Sequence, residues 1–257
     1  KHLPEPFDHP EFKGSVYEIP DIVIDTASVV TALAESAGSS IIQAAPTPVS
    51  DSGPGIVGLT LPDGRTVEAE HYLFAAGAGN EDLLRQSDIA VAMQRRPLHQ
   101  VLVRGPLPTL FGHAVSIGSG DKPRMTISTH KTKDLQPAWY LGGGLAETGI
   151  HRSNAAQIEF SKNELKRFLP FIDTSECEFK SWRVDRAEPK TSGILRPDRP
   201  FCAVSGNVLV CWPIKLTLVP LLAQEVMKHM IEPSKWPAPS TQYPEAQIGE
   251  APWEQAF

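Results

Sequence analysis

The sequence predicts an α+β fold, and three observations carry that prediction. Breakers are frequent: 24 prolines and 19 glycines in 257 residues cut the chain into short elements and exclude an all-helical bundle. Apolar residues make up 41% and charged residues 21%, enough for a core and against disorder. Short alternating runs with turn signals dominate, and only a few stretches carry helical periodicity.

The elements follow in order. Residues 1–20 are Pro-rich, with Phe7, Phe12, Val16 and Tyr17 as anchors. Asp25-Thr26-Ala27-Ser28 is an N-cap signal; Val29, Val30, Leu33 and Ala37 follow at helical spacing and Gly38 ends the run, which predicts a helix over 26–37. A three-strand meander is predicted over 40–45, 56–61 and 65–74, with Asp63-Gly64 turning the hairpin. It ends in Ala75-Ala76-Gly77-Ala78-Gly79, and a helix carrying Leu83 and Leu84 starts near Asn80. Strands are predicted at 89–94, 99–104, 111–117, 124–129 and 138–142. Ser153 caps a helix over 154–169 with Ile158, Leu165, Phe168 and Leu169 inward. A strand at 177–186, a buried strand at 207–212 and a helix at 218–231 complete the set. Pro220 falls in that helix's first turn, where a missing N–H costs little. The tail, 233–257, is Pro-rich and is expected to be pinned by Trp236, Tyr243, Trp253 and Phe257.

Composition narrows the function. Lys plus Arg is 24 and Asp plus Glu is 30, a net charge of −6; with no basic block, nucleic acid is not an expected partner. No apolar run reaches the roughly 18 residues of a membrane span. The start, Lys1-His2-Leu3-Pro4, is neither a signal peptide nor an initiator Met, so a processed, trimmed or excised piece is expected. The three cysteines, Cys177, Cys202 and Cys211, show no metal spacing, and a reduced, cytoplasmic protein is expected. No nucleophile elbow or Ser-His-Asp order points to a hydrolase.

Several features carry candidate chemistry, each beside a plainer reading. The run 75–79 is either a tight turn that needs glycine or a strand end that a cofactor approaches closely. Lys215 follows a strand and precedes a helix N-terminus, where free N–H groups and the dipole favour an anion; it is otherwise a solvated loop lysine. Arg183, Asp185, Arg186, Glu188, Arg196, Asp198 and Arg199 crowd into 17 residues, as surface ion pairs or around a fork for a carboxylate. Gly142-Gly143-Gly144 closes a strand as a bulge or beside a ligand. His99, His113 and His130 lie on predicted strands, where a lone histidine is most often structural.

The order of these features resembles the later two-thirds of the D-amino-acid oxidase and glycine oxidase superfamily of FAD-dependent oxidoreductases. Val23-Ile24-Asp25 before helix 26–37 is similar to its helix start. Tyr72-Leu73-Phe74-Ala75-Ala76-Gly77-Ala78-Gly79 is similar to its "v-l-A-a-G-a-w" segment, Arg96-Pro97-Leu98-His99-Gln100-Val101 to "P-x-x-G-Q-v", and Tyr140-Leu141-Gly142-Gly143-Gly144-Leu145-Ala146-Glu147 to "y-i-G-G-T-x-E". Arg186, Arg196-Pro197-Asp198-Arg199-Pro200 and Asn207-Val208-Leu209-Val210-Cys211-Trp212 close a likeness that spans roughly 12–232. There are three departures. The dinucleotide fingerprint, Gly-x-Gly-x-x-Gly after a first strand and at a helix N-terminus, is read as absent. The family's Gly-His pair before the last helix is replaced by Trp212-Pro213, with Ile214-Lys215 following. His99 stands where the family usually has Gly.

The resemblance implies a fold and a reaction. The fold is a partial FAD-binding domain with a β-meander plus an antiparallel-sheet substrate domain, α/β overall in an intact protein. Residues 1–25 would join the substrate sheet, 26–80 and 187–232 the cofactor domain, 81–186 the substrate domain, and 233–257 the tail. The reaction is oxidation of an amino acid, amine or related 2-substituted acid by hydride transfer to flavin. Arg186 is implied for the substrate carboxylate, with His99 and His130 beside it. Ala76, Gly77, Ala78, Gln100, Trp212, Lys215, Leu216 and Thr217 are implied for FAD. With the fingerprint missing, FAD is expected to be weak or absent until an N-terminal FAD-binding half joins, in cis or as a separate chain. A face meant for that half exposes apolar surface and allows self-association. The alternatives are a flavin-free module that binds a small ligand or a partner, and one subunit of a split hetero-oligomeric oxidase.

Overall fold

A computed structural model describes every residue except 1–2, 39–40, 51–52, 117, 119–121, 191–198, 232–243 and 245. The elements run α1 (Thr26–Ala37), β1 (Thr47–Ser50), β2 (Ile56–Thr60), β3 (Thr66–Val67), β4 (Tyr72–Phe74), α2 (Asn80–Gln86), β5 (Met93–Arg104), β6 (Phe111–Ala114), β7 (Met125–Lys131), β8 (Pro137–Gly142), α3 (Gly144–Thr148), α4 (Asn154–Phe168), β9 (Glu178–Pro189), β10 (Phe201–Ser205), β11 (Val208–Trp212), α5 (Val219–Met227) and α6 (Pro252–Gln255). They form two compact units. The first comprises Lys1–Ala37, Pro97–Val184 and Ile248–Phe257; the second comprises Gly38–Arg96 and Asp185–Gln247. The chain passes from one to the other within β5 and β9.

The first unit is built on a five-stranded sheet of order β6-β7-β8-β5-β9, antiparallel from β6 through β5. Alternation along the strands sends Val101, Val103, Met125, Ile127, Trp139 and Leu141 to one face, where they pack with Leu145, Leu165 and Leu169. Ser153 caps α4 by accepting from the Ala156 N–H at 3.2 Å, as its sequence predicts. The buried side of α4 is more polar than expected, because Gln157, Ser161 and Glu164 join Leu165 there. These groups are satisfied: the Gln157 amide donates to the carbonyls of His99 and Leu145, Ser161 donates to Gln157 O, and Arg124 pairs with Glu164.

The second unit holds two three-stranded sheets, β1-β2-β3 and β10-β11-β4. The chain reverses from β10 to β11 through Gly206 and Asn207, and β4 pairs in parallel with β11, Val208 to Val210 facing Tyr72 to Phe74. Ile56, Tyr72, Phe74, Leu84, Ile89, Val208, Val210 and Trp212 form its core. Asn207 behaves as a piece of strand, its side chain accepting from Ile56 N–H at 3.0 Å and donating to Ile56 O at 2.9 Å.

Several expectations shift. The first meander strand lies at 47–50 instead of 40–45, and it carries Pro48 because it is an edge strand that needs few ladder donors. The predicted strand 65–74 divides between two sheets, as β3 and β4. Strands 89–94 and 99–104 merge into one twelve-residue β5, and Pro97 sits outside the stretch, Val101 to Arg104, that pairs with β8. Helix 218–231 ends at Met227, and β10 and α3 were not predicted. Helix 26–37 forms as expected, yet none of its residues is buried. Trp236, Tyr243 and Arg196–Asp198 lie outside the described residues, whereas Trp253 and Phe257 do pin the tail.

Candidate functional site

In the second unit the side-chain-poor run after β4 is held by two side chains, Asn80 and Trp212. Asn80, fully buried, accepts from the Ala76 N–H at 2.9 Å and donates to Phe74 O and Cys211 O at 3.1 and 3.2 Å. The same amide thereby ties the ends of the two parallel strands to the turn between β4 and α2. The Trp212 indole, 2% exposed, donates to Gly77 O at 3.0 Å. Trp212 thus supports the turn from within the core. Gly77 has φ +60°, and nothing lies within 4 Å of where a Cβ would stand. A backbone so placed offers close approach to an incoming group.

Beyond Trp212 the strand is broken by Pro213 and by Ile214, whose φ is +66°. For a β-branched residue that conformation is strained, by about 1–3 kcal/mol. The bend presents Lys215, Leu216 and Thr217, all exposed, just before a short 3-10 turn and the N-terminus of α5. No side chain caps α5, but the Val219 N–H donates to Leu216 O and Pro220 has no N–H, so the 3-10 turn leads straight into the helix. Arg186 is half-buried on β9. Nearby, Glu188 is 2% exposed and is held by Arg96 and by the Gln94 amide at 2.9 Å.

In the first unit the two predicted histidines part company. His99 lies in the core with no exposure; its Nδ1 bonds to Gly149 O at 3.0 Å, and its Nε2 has no hydrogen-bond partner among the described residues. Burial lowers its pKa. Because a carbonyl only accepts, Nδ1 carries a proton. His130 lies on the opposite sheet face, with Gln100, Thr126, Ser128 and Tyr140, as strand register requires. Tyr140 donates its hydroxyl proton to the Gln100 carbonyl oxygen, and burial pushes the tyrosine up to about 12. The Gln100 amide nitrogen makes no hydrogen bond among the described residues. Ser128 Oγ and His130 Nε2 are 2.8 Å apart. Trp253, from α6, stacks on His130 with centroids 3.6 Å apart and planes at 10°. Burial pushes His130 down to about 4, against a smaller opposing pull from Asp25.

The residues singled out from the sequence therefore form two groups. Ala76, Gly77, Ala78, Trp212, Lys215, Leu216, Thr217 and Arg186 belong to the second unit, and His99, Gln100 and His130 to the first. Sequence reading missed Asn80 as a clamp and Trp253 as a partner of His130. It also missed a literal Gly-x-Gly-x-x-Gly, Gly53-Pro54-Gly55-Ile56-Val57-Gly58. That run leads from β1 into β2 and opens no helix, so it lacks the geometry of a dinucleotide fingerprint. Among the described residues there is no metal-binding cluster and no helix long and apolar enough to cross a membrane.

Comparison with known proteins places this geometry in context. No family model matches the chain. The FAD-dependent oxidoreductase PA4991 of Pseudomonas aeruginosa is 42% identical over 262 residues, covering 99% of this chain and 66% of that protein. Its crystal structure superposes with a TM-score of 0.88 at 41% identity, over 98% of this chain and 70% of that one. Iminodiacetate oxidase (IdaA) from Chelativorans sp. BNC1 is 16% identical with a TM-score of 0.43, over 76% of this chain and 51% of that one. MibH, a lathipeptide tryptophan 5-halogenase, is 17% identical with a TM-score of 0.41, over 79% and 37%. Those last two likenesses are too slight to carry an argument. The chain spans just under two thirds of the length of PA4991.

Proposed function

Because the chain belongs to the FAD-dependent oxidoreductases, we propose that it is part of an enzyme that oxidises an amino acid, an amine or a related 2-substituted acid. The observation that carries this reading is the turn 75–79, clamped by Asn80 and Trp212 with open space over Gly77. When bound, FAD supplies the hydride acceptor. The residues present fit one end of that group. Ala76, Gly77 and Ala78 leave the backbone open to close approach, while the Lys215 ammonium and the positive end of the α5 dipole favour negative charge beside Leu216 and Thr217. The strained bend at Ile214 is what aims this loop.

On this reading Arg186 holds the substrate carboxylate through its guanidinium fork. Gln100 and His130, the latter neutral at physiological pH, form a separate polar group on one face of the first unit's sheet that can meet a small molecule. His99 positions the strand that carries Gln100 from inside the core. A fingerprint segment, joined in cis or carried on a separate chain, would take the pyrophosphate of FAD. The test is anaerobic bleaching of the flavin by amino acids and N-substituted amino acids. Arg186→Ala is expected to raise the half-saturating substrate concentration by about 10- to 100-fold and to leave the flavin spectrum intact. Equal affinity in both proteins would contradict the assignment.

A further inference from the structure

The second unit carries a thiol pair that the proposed oxidation does not use. Cys202 on β10 and Cys211 on β11 are direct cross-strand partners, and their sulfurs are 3.5 Å apart. Cys211 is buried, Cys202 is half-buried, and both pack with Leu209, Leu222 and Val226. Counting outward from the two-residue loop fixes the kind of pair. Ser205 and Val208 close the hairpin and exchange hydrogen bonds, as two-residue loops require. Alternation then makes Val204–Leu209 non-bonded, Ala203–Val210 bonded and Cys202–Cys211 non-bonded. Cα atoms in a non-bonded pair stand about 4.5 Å apart, inside the range a disulfide spans. Side-chain rotation alone therefore brings the sulfurs to bonding distance.

We propose that Cys202 and Cys211 are a redox modification site, closing to a disulfide on exposure to a hydroperoxide and reopening with thiol. The half-buried Cys202 reacts first: its thiolate sulfur bonds to a peroxide oxygen, the O–O bond breaks and hydroxide leaves. The Cys211 sulfur then attacks the sulfenyl sulfur, the S–S bond forms, and water departs with the Cys211 proton. In sum, two thiols and one hydrogen peroxide give one disulfide and two waters. Burial pushes the Cys211 thiol up to about 12, which suits it to the second step and not the first. The bond has a local consequence, because the Cys211 carbonyl accepts from Asn80 and the next residue, Trp212, supports Gly77. Closing it staples the edge strand β10 to the strand that holds the turn.

This inference does not depend on the proposed function. The test treats the whole protein with hydrogen peroxide, alkylates remaining thiols under denaturing conditions, and reads intact mass and peptide map. The expected result is a loss of about 2 Da, a linked peptide holding Cys202 and Cys211, alkylated Cys177, and reversal by dithiothreitol. Cys177→Ser should leave the linkage unchanged, and Cys202→Ser should abolish it. Full alkylation of Cys202 and Cys211 after oxidation, a linkage through Cys177, or sulfinic acid at Cys202 with Cys211 still free would overturn the proposal.

Discussion

Asn80 shows what a single residue settles in this protein. It pairs with two buried carbonyls, of Phe74 and Cys211, and with the part-buried Ala76 N–H, at the ends of β4 and β11. Asn80→Ala leaves them unpaired and is expected to cost about 2–4 kcal/mol in urea denaturation; a loss under 1 kcal/mol would show that water replaces the amide. The residue was legible as a helix start, but a contact to Cys211, 131 positions away, has no signal in a single sequence. The two histidines teach a related lesson. Composition cannot separate His99 from His130, whereas strand parity sends one into the core and the other to the opposite face beneath Trp253. Burial holds His130 down at about 4, so the unfolded chain gains this proton near its ordinary pKa of about 6.5 and the folded chain only near 4. Its neutral ring thus supports the fold above about pH 6.5, and that support is lost as pH falls toward 4. Thermal melts from pH 7 to 4 should show a steeper decline in the wild type than in His130→Asn; parallel curves would be the adverse result.

At the scale of elements, helices were read more accurately than strands. Capping residues at Asp25 and Ser153 mark α1 and α4 directly, because helical hydrogen bonds are local. Strand limits depend on partners. Pro48 and Pro97 read as breakers yet sit where no ladder donor is needed, and Tyr72 to Phe74 left the meander because β11 offers a parallel partner. The turn between β7 and β8 gives an element-scale prediction. Leu135 has φ +63° and is 74% exposed, so its side chain adds strain and little burial. Leu135→Gly should stabilise the protein by about 1 kcal/mol in chemical denaturation; destabilisation would mean that the leucine packs against something this turn does not display.

Across the whole molecule, exposed apolar surface, expected from the sequence, is found on the N-terminal segment. Tyr17, Ile22, Val23 and Leu33 are 83%, 76%, 57% and 62% exposed, and α1 buries nothing. The chain should bind 1-anilinonaphthalene-8-sulfonate strongly, and Val30→Ser with Leu33→Ser should reduce the signal at least about 2-fold; an unchanged signal would place the patch elsewhere. The general architecture and the location of the turn 75–79 were legible in order and spacing, since glycine and alanine runs announce themselves. The clamp around that turn was not, because it is assembled from β4, α2 and β11. Whether this clamped turn receives FAD is decided by the visible spectrum of the purified protein. Flavin bands near about 370 and about 450 nm are expected in the wild type, with their loss from Gly77→Val and Ala78→Leu proteins that still melt cooperatively. A colourless wild type, or full flavin content in both variants, would contradict FAD binding at this turn.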